Sequence, residues 1–162
     1  MHETNGERAM EPLHPNQVWV LRIRAAITAL IVTFAALLLD MGPLRATTLP
    51  AGLAPGAVAL LMAAIVLVLP TRRYRAWGYR ETDDELHVRS GLLFQARTVV
   101  PFGRVQHIDV AHGPLERRFG LATLILHTAG TRGASVSLPG LAEDHAEAMR
   151  DRIRARIRQD LL

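Results

Sequence analysis

Residues 46–71 carry no charged side chain, and no other feature restricts the possible folds of this chain so strongly. Within and beside that run, "LAPGAVALLMAAIVLVLP" (53–70) extends back to about residue 50. That meets the roughly 20 apolar residues a helix needs to cross a bilayer. A second stretch, "AAITALIVTFAALLLD" (25–40), is shorter. Its uncharged part, Ala25 to Leu39, spans only about 22 Å at the helical rise. It becomes long enough when Leu21 and Ile23 join it and Arg22 and Arg24 extend their charged heads to the lipid headgroups. Neither stretch has the polar stripe of a water-facing helix. A secretory signal fits poorly, because the best cleavage position, Leu44-Arg45-Ala46, lacks the small residues required and a second span follows it. The reading is a transmembrane hairpin over 18–70, with spans at about 21–40 and 50–70, between an N-terminal segment (1–17) and a soluble domain (71–162).

Charge on the flanks sets the expected orientation. Arg22 and Arg24 precede the first span, and Arg72, Arg73 and Arg75 follow the second. The intervening loop offers Arg45 against Asp40. The positive-inside rule then predicts both termini in the cytoplasm, in a multi-pass protein of the cell (inner) membrane. Trp19, Tyr74 and Trp77 fall where interfacial aromatics belong. With the five arginines they form the expected membrane-surface set.

Beyond Trp77 the apolar period changes to two. Leu86 and Val88 alternate with His87 and Arg89. In "FQARTVV", Phe94, Ala96, Thr98 and Val100 are expected on one face. Ile108 and Val110, Leu124 and Leu126, and Val136 and Leu138 continue the pattern. Short alternating runs separated by turn residues predict an antiparallel sheet or barrel. The final segment returns to helical spacing, with Ala142, Ala146, Met149, Ile153 and Ile157 in one stripe and Glu143 and Asp144 at its start. Together these make an α+β module whose helix caps the sheet.

Several longer motifs are similar to those of one family. "LHP" (13–15), "YRETDDELHVRSGLL" (79–93), "VVPFGRVQHIDV" (99–110), "GPLERRFGLATLILHTAGT" (113–131) and "LPGLAEDHAEAMRDRI" (138–153) resemble the bacterial pleckstrin-homology (PH) membrane-flanked family, in particular its YdbS-like members. The resemblance implies a two-helix transmembrane hairpin followed by a PH-like antiparallel β-barrel capped by a C-terminal amphipathic helix. It implies no catalytic residues. It also implies, as partner, a larger membrane protein carrying several such domains.

The chemistry available is narrow. Cysteine and lysine are both absent, which excludes thiolate and Schiff-base catalysis and the lysine of a phosphate-binding loop. No serine lies in a nucleophile motif. His107, Asp109 and His127 are weighed as metal ligands, but no HExxH or close histidine pair supports a site. No enzyme, metal, cofactor or small-molecule substrate is expected, and the membrane tether argues against nucleic acid. In Gly113-Pro114-Leu115-Glu116-Arg117-Arg118-Phe119-Gly120, Gly113, Pro114 and Gly120 suit a structural corner. Arg117 and Arg118 are then left outward as a candidate partner contact. The acidic turn 81–85 occupies the place where phosphoinositide-binding PH domains carry basic residues, and its charge would repel a phosphorylated headgroup. The arginines of 150–158 read as a solvated face balanced by Glu147 and Asp151. The function expected is a non-enzymatic adaptor at the membrane surface; the alternative is an anionic-lipid sensor using surface arginines.

Overall fold

The computed structural model describes residues 10–42, 50–129 and 135–159. The chain divides into two compact units, residues 18–74 and residues 1–17 with 75–162. The central part of the connecting loop, with Arg45, lies outside the described residues.

The smaller unit is a pair of helices, α1 (Gln17–Met41) and α2 (Leu53–Ala76). Both are long and apolar enough to cross a membrane. The 25 residues of α1 give about 38 Å, more than the ~30 Å hydrocarbon core. Leu21 and Ile23 do join the helix. Leu30, Leu39 and Leu60 project outward, about 70% exposed, as lipid-facing side chains must. Asp40, the one acid in α1, accepts the backbone N–H of Gly52 at 2.7 Å. A carboxylate at the start of α2 meets the unpaired amides and the positive end of the helix dipole. Pro70 lies inside α2 and removes one rung of its hydrogen-bond ladder.

A single residue, Trp77, separates α2 from the first strand of the larger unit. Strands β1 (Gly78–Glu81), β2 (Glu85–Ser90) and β3 (Ala96–Pro101) form one antiparallel sheet. A 3₁₀ turn, Phe102–Arg104, leads to β4 (Val105–Ala111). The short helix α3 (Pro114–Arg118) separates β4 from β5 (Leu121–Thr128), and β6 (Ser135–Ala142) completes a second three-stranded antiparallel sheet. Helix α4 (Glu143–Gln159) lies against β4, β5, β6 and the 3₁₀ turn.

Period-two alternation puts Leu86, Val88 and Val100 inside from the first sheet and Leu124, Leu126 and Leu138 inside from the second. A register shift between Ala122 and Leu124 breaks the alternation, so that Leu121 and Leu141 are buried as well. Phe102 fills the corner between the sheets, and Ala146, Met149 and Ile153 of α4 close the core, all nearly inaccessible.

Two expectations need correction. Among the described residues the strands do not close into a barrel; they form two separate sheets. Pro101 and the 3₁₀ turn interrupt the chain between β3 and β4, and Pro139 in β6 has no N–H to donate to a further strand. The gap on the other side is bridged by residues 10–17. Glu11 exchanges backbone hydrogen bonds with Tyr79 of β1 (2.7 and 3.0 Å), and the His14 N–H donates to Gly140 O of β6 at 2.8 Å. Leu13, between these bonds, is buried. This strap joins both sheets before the chain enters α1. The second correction concerns Phe94: β3 begins only at Ala96, and Phe94 lies in the preceding turn, 90% exposed.

Candidate functional site

A polar concavity of the PH-like unit forms between α4 and the β1 side of the first sheet. Alternation along β1 sends Tyr79 and Glu81 to the same face. On α4, His145, Met149, Arg152 and Arg156 recur at intervals of three and four, so they share one helix face. These two rows, with Asp83 and Glu11, enclose a cleft of about 590 Å³.

Direct bonds join its walls. Arg152 grips Glu81 with two parallel donors, Nε to Oε1 at 3.1 Å and Nη2 to Oε2 at 2.7 Å. Such a forked guanidinium–carboxylate pair is the strongest geometry an exposed ion pair has. Arg156 Nη2 donates to Asp83 Oδ1 at 2.8 Å, and its Nη1 donates to the Asp83 carbonyl oxygen. The Tyr79 hydroxyl lies 3.2 Å from His145 Nε2. Burial pushes the Tyr79 hydroxyl well above the ordinary tyrosine range, and a hydrogen bond to Glu11 and the charges of Glu11 and Glu81 add to the effect against Arg152. The turn itself is a self-bonded unit: Thr82 Oγ1 donates to Glu85 O at 2.9 Å, and Thr82 N–H donates to the same oxygen. Chemically this is a latch. Three carboxylates, Glu11, Glu81 and Asp83, face three guanidiniums, Arg80, Arg152 and Arg156, around one cleft.

The arginines of α4 therefore do more than face water. Arg152 and Arg156 bond across to the end of β1 and the β1–β2 turn, while Arg150 pairs within the helix, with Asp151 at 3.0 Å. The helical spacing of 145, 149, 152 and 156 was a usable signal for this face. Glu11 had none, because its position depends on backbone pairing.

The structure brings His107 and His127 directly opposite each other across β4 and β5. Their Nε2 atoms approach separate oxygens of Asp109, at 2.7 and 3.1 Å. Among the described residues no group of three or more His, Cys, Asp or Glu side chains is arranged to hold a metal ion.

The cluster 113–120 forms the turn of helix α3. The Gly113 N–H donates to Glu116 Oε2 at 2.6 Å, half of a capping box. Glu116 is buried in that role, which the density of charge in the cluster concealed. Gly120, at φ +65°, releases the chain into β5, in the left-handed region that favours glycine. Its carbonyl accepts the Glu143 N–H at 3.1 Å. Arg117 and Arg118 are exposed.

Around the helices, Arg22 stacks on the Trp19 ring at 5.2 Å, a cation–π contact. Arg24 and Arg73 line one groove of about 320 Å³ in the hairpin. Arg72, Arg73 and Arg75 are exposed on the last turns of α2, while Tyr74 and Trp77 are half-buried.

Two long apolar helices and a two-sheet unit capped by one helix define a membrane protein carrying a PH-like domain. The sequence model of the family described as Bacterial PH domain matches residues 20–157. The chain belongs to that family. It is 37% identical over 99 residues to the UPF0699 transmembrane protein YdbS of Bacillus subtilis (strain 168), covering 60% of this chain and 60% of YdbS. It is 28% identical over 100 residues to the UPF0699 transmembrane protein YdbT of the same organism, covering 60% of this chain but 20% of YdbT. No solved structure matches significantly.

Proposed function

We propose that this chain is a non-enzymatic adaptor whose PH-like domain docks a partner protein at the cytoplasmic face of the cell membrane. The observation that carries this reading is the latch. The turn that would face a phosphorylated headgroup is acidic, and Arg152 and Arg156, which lie beside it, are already bonded to Glu81 and Asp83. A domain whose basic residues at that edge are spent internally is better suited to protein than to phosphoinositide. The partner this reading calls for is a related membrane protein with several such domains. A relative like YdbT, in which the matched segment is a fifth of the length, has room for more than one. Arg117 and Arg118, exposed on the α3 corner, are the proposed contact.

Orientation is supported by two facts. Five arginines flank the helices on the side of the domain, against Arg45 in the connecting loop. The strap also requires residues 10–17 and the two sheets to share one compartment, because they exchange backbone hydrogen bonds.

Crosslinking in native membranes followed by purification in mild detergent tests the adaptor role. A larger PH-domain membrane protein should be captured, and Arg117→Glu with Arg118→Glu should reduce its yield. Recovery of the chain alone, even after crosslinking, rejects the reading. A second reading, sensing of anionic lipid, draws on the exposed Arg72, Arg73 and Arg75. Near an anionic surface each contributes about 1 kcal/mol. It predicts that domain exposure, followed by hydrogen exchange in nanodiscs, changes between zwitterionic and anionic lipid and that salt abolishes the change.

A further inference from the structure

The β2–β3 turn is the most exposed apolar feature of the PH-like unit. Leu93 is 87% and Phe94 90% exposed, with Leu92 and Val99 partly so. Two bulky apolar side chains at the tip of a hairpin are costly in water and mark a surface that something covers. The turn is also built rather than loose. Gly91 sits at φ +101°, and a Cβ there would overlap the carbonyl oxygen of Phe94. Glycine is thus required for the chain to fold back so tightly, and the fold presents Leu93 and Phe94 on a fixed corner.

Topology identifies the surface. Gly78, the first residue of β1, pairs with Arg89 of β2. Only Trp77 separates Gly78 from the end of α2. Strand β2 runs back toward that point, so the β2–β3 turn emerges at the end of the sheet where the chain arrives from its second membrane span. Leu93 lies four residues beyond Arg89, at most about 14 Å of extended chain. The opposite turn, with Thr82 and Asp84, lies at the far end of the same strands. Below the apolar tip, Arg89 and Arg97 stand directly opposite one another. Like charges so placed repel, and both gain from phosphate oxygens nearby. Apolar residues at a tip above paired arginines form the pattern of an interfacial anchor.

We infer that Leu92-Leu93-Phe94 inserts into the acyl–headgroup boundary of the membrane that holds the helical hairpin, with Arg89 and Arg97 at the phosphates. This gives the domain a third attachment to the bilayer, besides its links to α1 and α2. The inference goes beyond the adaptor reading and does not depend on it.

The absence of cysteine makes the test direct. Single variants Leu93→Cys, Phe94→Cys, Asp84→Cys and Leu60→Cys of the full chain are labelled with an environment-sensitive fluorophore and placed in nanodiscs with nitroxide-bearing phospholipid. Leu60→Cys reports lipid and Asp84→Cys reports water. Labels at 93 and 94 should show blue-shifted emission, loss of fluorescence to the nitroxide and protection from aqueous iodide. Emission and iodide quenching equal to those at position 84 would overturn the inference. Protection from iodide without nitroxide quenching would overturn it too, since protein, a second copy of the chain, would then cover the tip. No partner is present in this experiment, so its failure leaves the adaptor reading standing.

Discussion

Tyr79 is the residue whose environment makes the sharpest prediction. Its hydroxyl is buried among Glu11, Glu81 and His145, and folding opposes its ionisation. A group whose folded pKa is raised contributes stability that is complete below its unfolded value, and loses it as pH rises past that value toward the folded one. The unfolded value is about 10. The chain has no lysine and only two tyrosines, Tyr74 and Tyr79, and arginine does not titrate in this range. Alkaline behaviour is therefore unusually simple to assign. In a Tyr74→Phe variant, tyrosinate absorbance should appear together with loss of tertiary structure, not before it. Tyr79→Phe should lose about 1 kcal/mol at neutral pH with its hydrogen bond. It should also flatten the decline in stability, measured by thermal melting in detergent between about pH 8 and about pH 11. Tyrosinate forming at ordinary pH in the intact fold would contradict this. The sequence carries no sign that Glu11 lies beside Tyr79. Glu116 shows the same limit, since a carboxylate bonded to the Gly113 amide looks like any other surface charge until the turn is seen.

Helix α4 is held by two kinds of contact of unequal worth. Ala146, Met149 and Ile153 are fully buried, whereas the Arg152–Glu81 pair leaves 46% and 20% of its side chains exposed. Truncating a buried isoleucine costs about 2–5 kcal/mol. A partly exposed ion pair contributes less than about 1 kcal/mol and weakens with salt. Denaturation midpoints should therefore fall much further for Ile153→Ala than for Arg152→Ala, and only the second loss should shrink at high ionic strength. Equal losses would mean that the latch, not the apolar stripe, seats the helix. Ala146, Met149 and Ile153 were readable beforehand because a 3.6-residue period is written in the side chains themselves, but Ala142, expected in the same stripe, is the last residue of β6. The start of β3 was not readable. Alternation in "FQARTVV" runs through a turn without a break, whereas β3 starts where Ala96 finds its partner Ser90 across the turn that Gly91 opens. The separation of the sheets was equally hidden, since it depends on which backbone groups find partners.

For the molecule as a whole, the strap decides what counts as the domain. Residues 10–16 precede α1 in sequence and Gln17 opens it, yet they fold with residues 75–162. Backbone pairing leaves no mark on side chains, so sequence alone separates this segment from the domain it completes. A fragment starting at Arg75 loses the buried Leu13, about 2 kcal/mol. It also loses the hydrogen bonds of Glu11 and His14, about 1 kcal/mol each, and bares the edge of β1. Against a typical total of roughly 5–15 kcal/mol that loss is large. The fragment should melt early and self-associate through the bared strand. A chain in which a flexible Gly/Ser linker replaces residues 18–74, so that the strap is kept, should instead stay monomeric and melt cooperatively at higher temperature. Calorimetry and sedimentation of the two proteins side by side check this, and equal melting temperatures would show that the strap adds nothing. The same bonds govern insertion. With residues 10–17 and both sheets obliged to meet on one side, the helices between them must cross the bilayer an even number of times. Charge reversal at Arg22, Arg24, Arg72, Arg73 and Arg75 should therefore either leave the hairpin in place or invert it whole. It should not yield a folded protein with its ends on opposite sides.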